Sequence, residues 1–444
     1  MKIELSGHYS YSRILKTCIP SVLMILTTSV YSIVDGLFVS NFAGTTSFAA
    51  LNIIWPAIAT VAAFGLMFGT GGSALVAMVI GQDDRDRANS IFTMLIRAML
   101  ILGAVCGTLL FIFMRPVSIW LGADEAMLPD CIRYGRILVC AMPAFMSQMA
   151  FNSFFMTAEK PQLGTLLTVI CGITNIAFDA LFIVVFGWGL TGAAIATVLG
   201  MAVGGIYPLY YFSSKKRNTT KLKFVKADTD WHCIVRCCSN GLSEYVGNIA
   251  LNIVSMCYNL QLMKLIGQDG VAVYGILMYI GYVYASVYIG YNIAVSPIVS
   301  FNYGAQNHDE LKSLLRKSIV ILLVAGTILT GLSEILSSPM AGIFVGYDPG
   351  LKALTARAIR IYMISFMICG LNMFVSAWFT ALNNGIVSAC AAFARTLIFE
   401  MGSIFILPLF LGLDGVWLAV DMADILALVL SVILLASMRK RYNY

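Results

Sequence analysis

Long apolar segments recur along the whole chain and limit its possible folds more than any other feature. Several contain 20 or more mostly apolar residues, enough to cross about 30 Å of hydrocarbon as a helix. Only 11% of the residues are charged, compared with roughly 25% in soluble domains. Lipid admits only helices and closed barrels, and these segments far exceed the ~10-residue strands of a barrel. The sequence therefore predicts an all-α membrane protein.

We predict twelve transmembrane helices from these segments. They cover about 14–39, 48–78, 91–114, 132–157, 163–187, 190–213, 237–263, 270–301, 315–338, 355–381, 386–411 and 415–438. The first segment is interpreted as a helix because it is too long for a signal peptide and lacks a small-residue cleavage site.

The positions of Lys and Arg predict the orientation. With the N-terminus inside, most of the 28 basic residues fall on the cytoplasmic side, including Lys2, Lys215 and Lys221. Basic residues concentrate on that side in membrane proteins, so both termini are expected in the cytoplasm and the chain in a plasma membrane. The net charge of +6 follows from this bias and requires no nucleic-acid partner.

The chain contains an internal repeat. A constant shift of 223 residues places Gly44 on Gly267, Gly81 on Gly304 and "GLTG" (189–192) on "GLDG" (412–415). We therefore predict an N-lobe (1–213), a basic cytoplasmic linker (214–236) and a C-lobe (237–444). Six helices per lobe give the two repeats parallel orientations around a central cavity, an arrangement typical of transporters. A duplicated structural bundle without transport is the alternative.

Two carboxylates lie inside predicted spans of the N-lobe. Asp35 follows an apolar run in "SVYSIVDGLFV", and Asp179 shares a helix face with Asn175 four residues earlier. A charge at the bilayer centre costs roughly 2.5–3.5 kcal/mol on insertion scales. With Thr197 on the next helix, these oxygens suit a small cation, and two nearby acids could instead exchange a proton. Buried hydrogen bonds that hold the helices together are the alternative.

The C-lobe lacks this set of residues. Under the same shift, Asp35 falls on Tyr258, Asn175 on Ile398, Asp179 on Gly402 and Thr197 on Val420. We therefore expect an ion site in the N-lobe only. Four other charged groups, Arg395, Glu400, Asp421 and Asp424, are interpreted as a structural ion pair or a substrate contact, and the role of Glu244 is left open.

Polar stripes on several helices predict a substrate cavity between the lobes. Aromatic rings attract organic cations, and polar side chains within spans line interiors; packing inside a lobe is the alternative for each. The candidates are Tyr31, Ser32, Gln148, Asn152, Asn248, Asn252, Ser255, Tyr258, Asn259, Tyr284 and Tyr288.

At these residues the chain resembles the multidrug and toxic compound extrusion (MATE) family, in its DinF-like bacterial branch. The resemblance rests on "SVYSIVDGLFV", Pro20, the Asn175–Asp179 pair, Thr197 and "PIVSFNYGAQNHDELK" (297–312). It implies that Asp35, Asn175, Asp179 and Thr197 bind the coupling ion and that helix 1 bends at Pro20. The second-lobe acids of the NorM-like branch, on helices 7 and 10, have no equivalent deep in these helices.

The resemblance implies an antiporter of the bacterial inner membrane that exports amphipathic organic cations in exchange for Na⁺ or H⁺, acting as a monomer. We expect no cofactor and no metal beyond a possible Na⁺. The alternatives are a flippase or exporter of a lipid-linked or other amphipathic metabolite, a membrane enzyme and a passive channel. Few arginines lie in spans to hold a pyrophosphate, which argues against a flippase of lipid-linked substrates. His8, His232 and His308 lie outside the spans, which argues against a membrane enzyme. We therefore favour the antiporter.

Overall fold

The computed structural model describes residues 4–43, 45–214, 216–220 and 222–444. Lys2, Gly44, Lys215 and Lys221, which entered the orientation and repeat arguments, lie outside these ranges. Within them the ordered elements are helices, and twelve membrane spans can be assigned, in agreement with the prediction.

The N-lobe contributes α1 to α6. Their bounds are Tyr11–Phe42 (α1), Thr45–Gly81 (α2), Arg85–Trp120 (α3), Leu128–Cys140 with Met142–Thr157 (α4), Pro161–Val185 (α5) and Gly189–Ser213 (α6). The two parts of α4 meet at 59°, a break that the uniform apolarity of this segment did not predict. Pro143 stands just beyond the break and cannot donate the backbone hydrogen bond that would continue the first part.

The C-lobe contributes α7 to α12. Their bounds are Trp231–Ile266 (α7), Gln268–Gly304 (α8), His308–Val345 (α9), Pro349–Ala381 (α10), Gly385–Leu411 (α11) and Ala419–Tyr442 (α12). A short helix, Leu413–Trp417, connects the last two. Several helices extend past the hydrocarbon lengths predicted from apolarity, because their polar ends continue in helical form; α7, for example, begins at Trp231 instead of 237.

The repeat is visible in the backbone. Asp84 and Asn307, related by the 223-residue shift, are the N-caps of α3 and α9, and each side chain accepts a backbone N–H of its own first turn. The residues just before them, Asp83 and Gln306, both have positive φ (63° and 56°). The same turn chemistry therefore ends α2 and α8 and begins the following helices.

The lobes meet in the half of the bundle that carries both termini, here called the termini face. Contacts there join α2 to α7 and α8, and α1 to α8. Farther along α1, Ser29 and Ser286 of α8 are joined by their hydroxyls at 3.0 Å. Beyond them on the same face of α1, Ser32 is exposed, and a Cβ at Gly36 would meet nothing within 4 Å. The lobes therefore separate towards the opposite face.

The N-terminal segment bridges the two lobes across the termini face. The backbone N–H of Leu5 donates to Glu159 at the end of α4 (2.9 Å), and that of Tyr9 donates to Glu310 of α9 (2.8 Å). Leu5 and Tyr9 are both buried, and burial raises the pKa of the Tyr9 hydroxyl to about 12. This segment thus contributes to closing the termini face.

Candidate functional site

The four residues expected to bind the coupling ion come together inside the N-lobe. Asp35 lies on α1, Asn175 and Asp179 on α5, and Thr197 on α6. The Asn175 amide donates to the Thr197 hydroxyl at 3.5 Å, a long hydrogen bond. Asp179 and Asn175 are buried. Asp179 directly precedes a π-helical turn, Ala180–Val185, and such turns are frequent at functional sites.

The carboxyl groups of Asp35 and Asp179 face each other across α1 and α5, close enough to bond if a proton lies between them. Both oxygens of Asp179 and one oxygen each of Asp35 and Asn175 are buried, and no hydrogen-bond donor reaches them from the described residues. Buried polar atoms are rarely left in this state. The donor set therefore fits a bound monovalent cation or shared protons, and these residues would hold either one.

The surroundings of Asp35 include residues on two further helices, α4 and α5. Tyr31, one turn earlier on α1, lies within hydrogen-bond reach of Gln148 on α4. Gly172 of α5 packs under the Tyr31 ring, and a Cβ at Gly172 would approach the ring to 3.0 Å. Tyr134, buried on α4, lies near both acids. Tyr134 was missed because it lies among charged and apolar residues with no polar stripe.

Pro20 lies inside α1, which is continuous from Tyr11 to Phe42 in this conformation. The Thr165 hydroxyl on α5 donates to the Pro20 carbonyl at 2.7 Å. The proposed bend point is therefore attached to the helix that carries Asp179. The role of Pro20 in bending stays a prediction.

The predicted cavity residues divide into two groups. Eight are half-buried or exposed and remain available to a cleft: Tyr31, Ser32, Gln148, Asn152, Asn248, Asn252, Ser255 and Asn259. Among them, Asn259 has a buried amide oxygen that no donor in the described chain reaches. The Asn252 amide donates at 3.3 Å to the Asn248 carbonyl of its own helix. Their contact with substrate stays a prediction.

Three predicted cavity tyrosines lie elsewhere, inside the C-lobe, in this conformation. Tyr288 is fully buried, and its hydroxyl donates to the Phe366 carbonyl on α10. Tyr284 packs edge-on against Phe366 and accepts a hydrogen bond from Ser333 of α9. Tyr258 is fully buried and stacks on Tyr274. The spacing correctly put polar groups on one helix face, but the Tyr284 and Tyr288 hydroxyls bond to partners within the lobe, and the Tyr258 hydroxyl is buried there.

The buried charges of the C-lobe form an ion pair and two further acids. Arg395 and Asp424 are joined at 2.6 Å between Nε and Oδ1, the structural pair that the sequence left as one of two readings. Glu400 and Asp421 are each only 7% exposed. Glu244 is half-buried on α7.

A cavity of about 510 Å³ lies at the termini face. It is bounded by α2, α3, α7, α8 and the linker, and Arg87, Asp230, Arg236 and His308 are among its lining residues. The linker is attached there to the N-lobe, because Arg97 of α3 donates to Thr229 at 2.6 Å. Arg97 therefore belongs to this surface and not to the interior of the bundle.

Comparison with known proteins agrees with this architecture. The sequence profile of the MatE family matches the chain twice over equal lengths, at residues 20–181 and 245–406. The multidrug export protein MepA of Staphylococcus haemolyticus is 22% identical over 99% of this chain and 97% of its own. The probable multidrug resistance protein YoeA of Bacillus subtilis is 22% identical over 93% of this chain and 90% of its own.

The fold also matches a solved structure. A crystal structure of a MATE protein in complex with MaL6 superimposes with a TM-score of 0.92 at 22% identity, covering 98% of both chains. The two profile matches together span well over half of the sequence and coincide with the two structural repeats. This chain therefore belongs to the MatE family, a family of membrane transporters and not of enzymes.

Proposed function

We propose that this chain is a secondary active multidrug efflux antiporter of the bacterial inner membrane, which exports amphipathic organic cations in exchange for Na⁺ or H⁺. The observation that carries the proposal is the pair of facing carboxyls, Asp35 and Asp179, with buried oxygens that no donor reaches. A purely structural network would be expected to satisfy these oxygens, whereas an ion-coupled transporter needs a site that alternates between loaded and empty states.

The position of Asp35 supports coupling through α1. Asp35 lies close to Asp179 of α5, and the exposed Ser32, which we propose as a cleft residue, lies about one turn earlier on the same helix. A cation or proton between Asp35 and Asp179 removes the repulsion between α1 and α5, so these helices can pack more closely. The hydroxyl and amide groups that substrate would contact then move with α1.

The arrangement of the lobes supports alternating access. In this conformation the lobes touch at the termini face and separate towards the opposite face. With both termini in the cytoplasm, as the basic residues favour, this is an outward-open state that releases substrate and admits the ion. The chain acts as a monomer, and membrane lipid covers its apolar exterior.

The C-lobe ion pair argues against a flippase for pyrophosphate-linked lipids. Arg395 forms an ion pair with Asp424 at 2.6 Å, and Arg97 donates a hydrogen bond to Thr229 at the termini face. Neither of these two arginines is therefore free to hold a phosphate group in a cavity. Organic cations remain the better match to an interior whose acids outnumber its bases.

The test is transport by the purified protein in liposomes. Uptake of a fluorescent organic cation is followed under a Na⁺ gradient alone and under a H⁺ gradient alone, for wild type and Asp179→Asn. Asp269→Asn, at an exposed acid at the start of α8, is the matched control. We expect transport in wild type and Asp269→Asn and its loss in Asp179→Asn, and the effective gradient identifies the ion. Normal transport by Asp179→Asn would contradict the proposed coupling site, and wild-type flux without any gradient would indicate a passive pathway.

A further inference from the structure

The C-lobe contains a cluster of buried charges that the proposed mechanism does not use. Asp424 is satisfied, because it is paired with Arg395 and also accepts from the Asn372 amide at 3.0 Å. Glu400 and Asp421 remain, and each is about nine-tenths buried. One base therefore faces three acids, and the cluster carries two negative charges in excess if every group is ionised.

Asp421 lacks a well-formed hydrogen bond. Both of its carboxyl oxygens are buried and, within the described ranges, neither accepts a bond of good geometry; the donors that lie close to the carboxyl are the backbone N–H groups of Ser365 and of Asp421 itself. The Tyr258 hydroxyl, on a fully buried side chain, lies near both Glu400 and Asp421 and within hydrogen-bond reach of Glu400. A carboxylate buried without a donor or a countercharge is costly, whereas a carboxylic acid supplies its own O–H donor.

The cluster occupies the place in the C-lobe that the ion site occupies in the N-lobe. Under the 223-residue shift, Tyr258 is the equivalent of Asp35, and α7, α11 and α12 are the equivalents of α1, α5 and α6. Asp421 directly follows the equivalent of Thr197. Glu400 lies two residues before the equivalent of Asp179 and ends a π-helical turn, Ala394–Glu400. The two lobes therefore place acids within the same set of three helices but at different positions, and only α5 and its equivalent α11 carry an acid in both lobes.

We propose that Asp421 and Glu400, with the Tyr258 hydroxyl close to both, form a second proton-binding site in the C-lobe. A proton on each acid removes the two excess charges and supplies an O–H donor. The other titratable groups that face the cluster are Arg395, Asp424, Cys369, Tyr274 and Tyr362. Arg395 and Asp424 neutralise each other, so they leave the two acids uncompensated. Proton binding stands on this geometry alone, and its use in transport rests on the proposed antiport.

The experiment is infrared difference spectroscopy of the purified protein, which detects the C=O stretch of protonated carboxyl groups directly. Spectra are recorded from acidic to alkaline pH, with and without Na⁺, for wild type, Asp421→Asn, Asp179→Asn and the exposed-acid control Asp269→Asn. We expect a carboxylic-acid component in wild type, Asp179→Asn and Asp269→Asn that is lost at alkaline pH and is missing from Asp421→Asn. Because Asn resembles the protonated acid in shape and charge, Asp421→Asn should fold.

A spectrum of Asp421→Asn identical to wild type at every pH would overturn the proposal. Displacement of the component by Na⁺ at constant pH would also overturn it, since the site would then hold a cation. If Asp421→Asn does not fold, Tyr258→Phe replaces it: a frequency shift of the same component is expected, and an unchanged spectrum contradicts the site. These readouts need no transport, so failure of the antiport in liposomes and failure of the C-lobe proton site are distinguishable.

Discussion

Gly81 of α2 and Gly304 of α8 occupy equivalent positions in the two repeats, and each lies against the backbone of the other helix. A Cβ on Gly81 would lie 2.1 Å from the Phe301 carbonyl oxygen, and one on Gly304 would lie 2.0 Å from that of Met78. Backbone stands on the other side of both contacts, so no side chain can move aside. A close approach of the lobes at the termini face therefore depends on two glycines related by the repeat.

Adding a side chain at this contact should open the termini face. We expect Gly304→Ala to shift the population from the outward-open towards the inward-open state, because the added methyl group forces α2 and α8 apart. Distances between spin labels on the two lobes at the termini face should lengthen. Gly331→Ala on α9, where a Cβ meets nothing within 4 Å, is the matched control. Unchanged distances in Gly304→Ala would show that the contact does not limit opening.

The N-terminal segment should depend on Glu310. This carboxylate accepts from the Tyr9 backbone N–H at 2.8 Å and is paired with His8 at 2.8 Å. Glu310→Ala leaves the buried Tyr9 N–H without a partner, which should weaken docking of the N-terminal segment by about 1–3 kcal/mol. His8→Ala should cost much less, because the His8 side chain is 70% exposed. Protease cleavage within residues 4–10 should accelerate in Glu310→Ala and change little in His8→Ala. Equal cleavage rates in the two variants would contradict the larger role assigned to Glu310.

The Arg395–Asp424 pair should be sensitive to removal of one partner. Arg395→Met leaves a buried carboxylate uncompensated, so we expect the free energy of unfolding to fall by about 3–5 kcal/mol. The double variant Arg395→Met/Asp424→Asn should recover part of this loss, because no unpaired charge remains. Thermal unfolding in detergent measures both. If the double variant loses as much unfolding free energy as the two single variants added together, loss of the ion pair is not the cause of the destabilisation.

The bond from Thr165 to the Pro20 carbonyl should restrain α1. Thr165→Val keeps the shape of the side chain and removes a hydrogen bond worth about 0.5–1.5 kcal/mol. We expect faster amide hydrogen exchange in the turn of α1 around Pro20. Thr327→Val on α9, whose hydroxyl bonds only within its own helix at Leu323, should leave α1 unchanged. Equal exchange in both variants would argue against a restraint at Pro20.

Much of this architecture is predictable from the sequence because the bilayer imposes simple rules. Apolar length predicted the twelve spans. One constant shift predicted the repeat, and the turns that end α2 and α8 lie at equivalent positions. The cost of a charge in lipid identified Asp35 and Asp179, which the structure places face to face. Helical spacing sufficed to put Asn175 and Asp179 on one face of α5.

What the sequence did not predict depends on contacts between helices. Spacing puts Tyr284 and Tyr288 on one face of α8, but it does not say whether that face meets the cleft or α9 and α10. Tyr134 lies near the two acids only through the packing of helices, because the part of α4 that carries it packs on α2, α3 and α6. The residue-by-residue comparison of the halves correctly found the N-lobe set missing from the C-lobe. It could not show that Glu400 and Asp421 gather on the corresponding helices from shifted positions.

The central claim is that the ion at Asp35 and Asp179 and the substrate weaken each other's binding. The most direct measurement is the affinity of a fluorescent organic cation for the purified protein, with and without the coupling ion, in wild type and Asp179→Asn. Linkage requires the ion to weaken substrate binding by the same factor by which substrate weakens ion binding, typically 5–150-fold. We expect that factor in wild type and its loss in Asp179→Asn. Substrate affinity that is independent of both Na⁺ and H⁺ in wild type would contradict ion-coupled export.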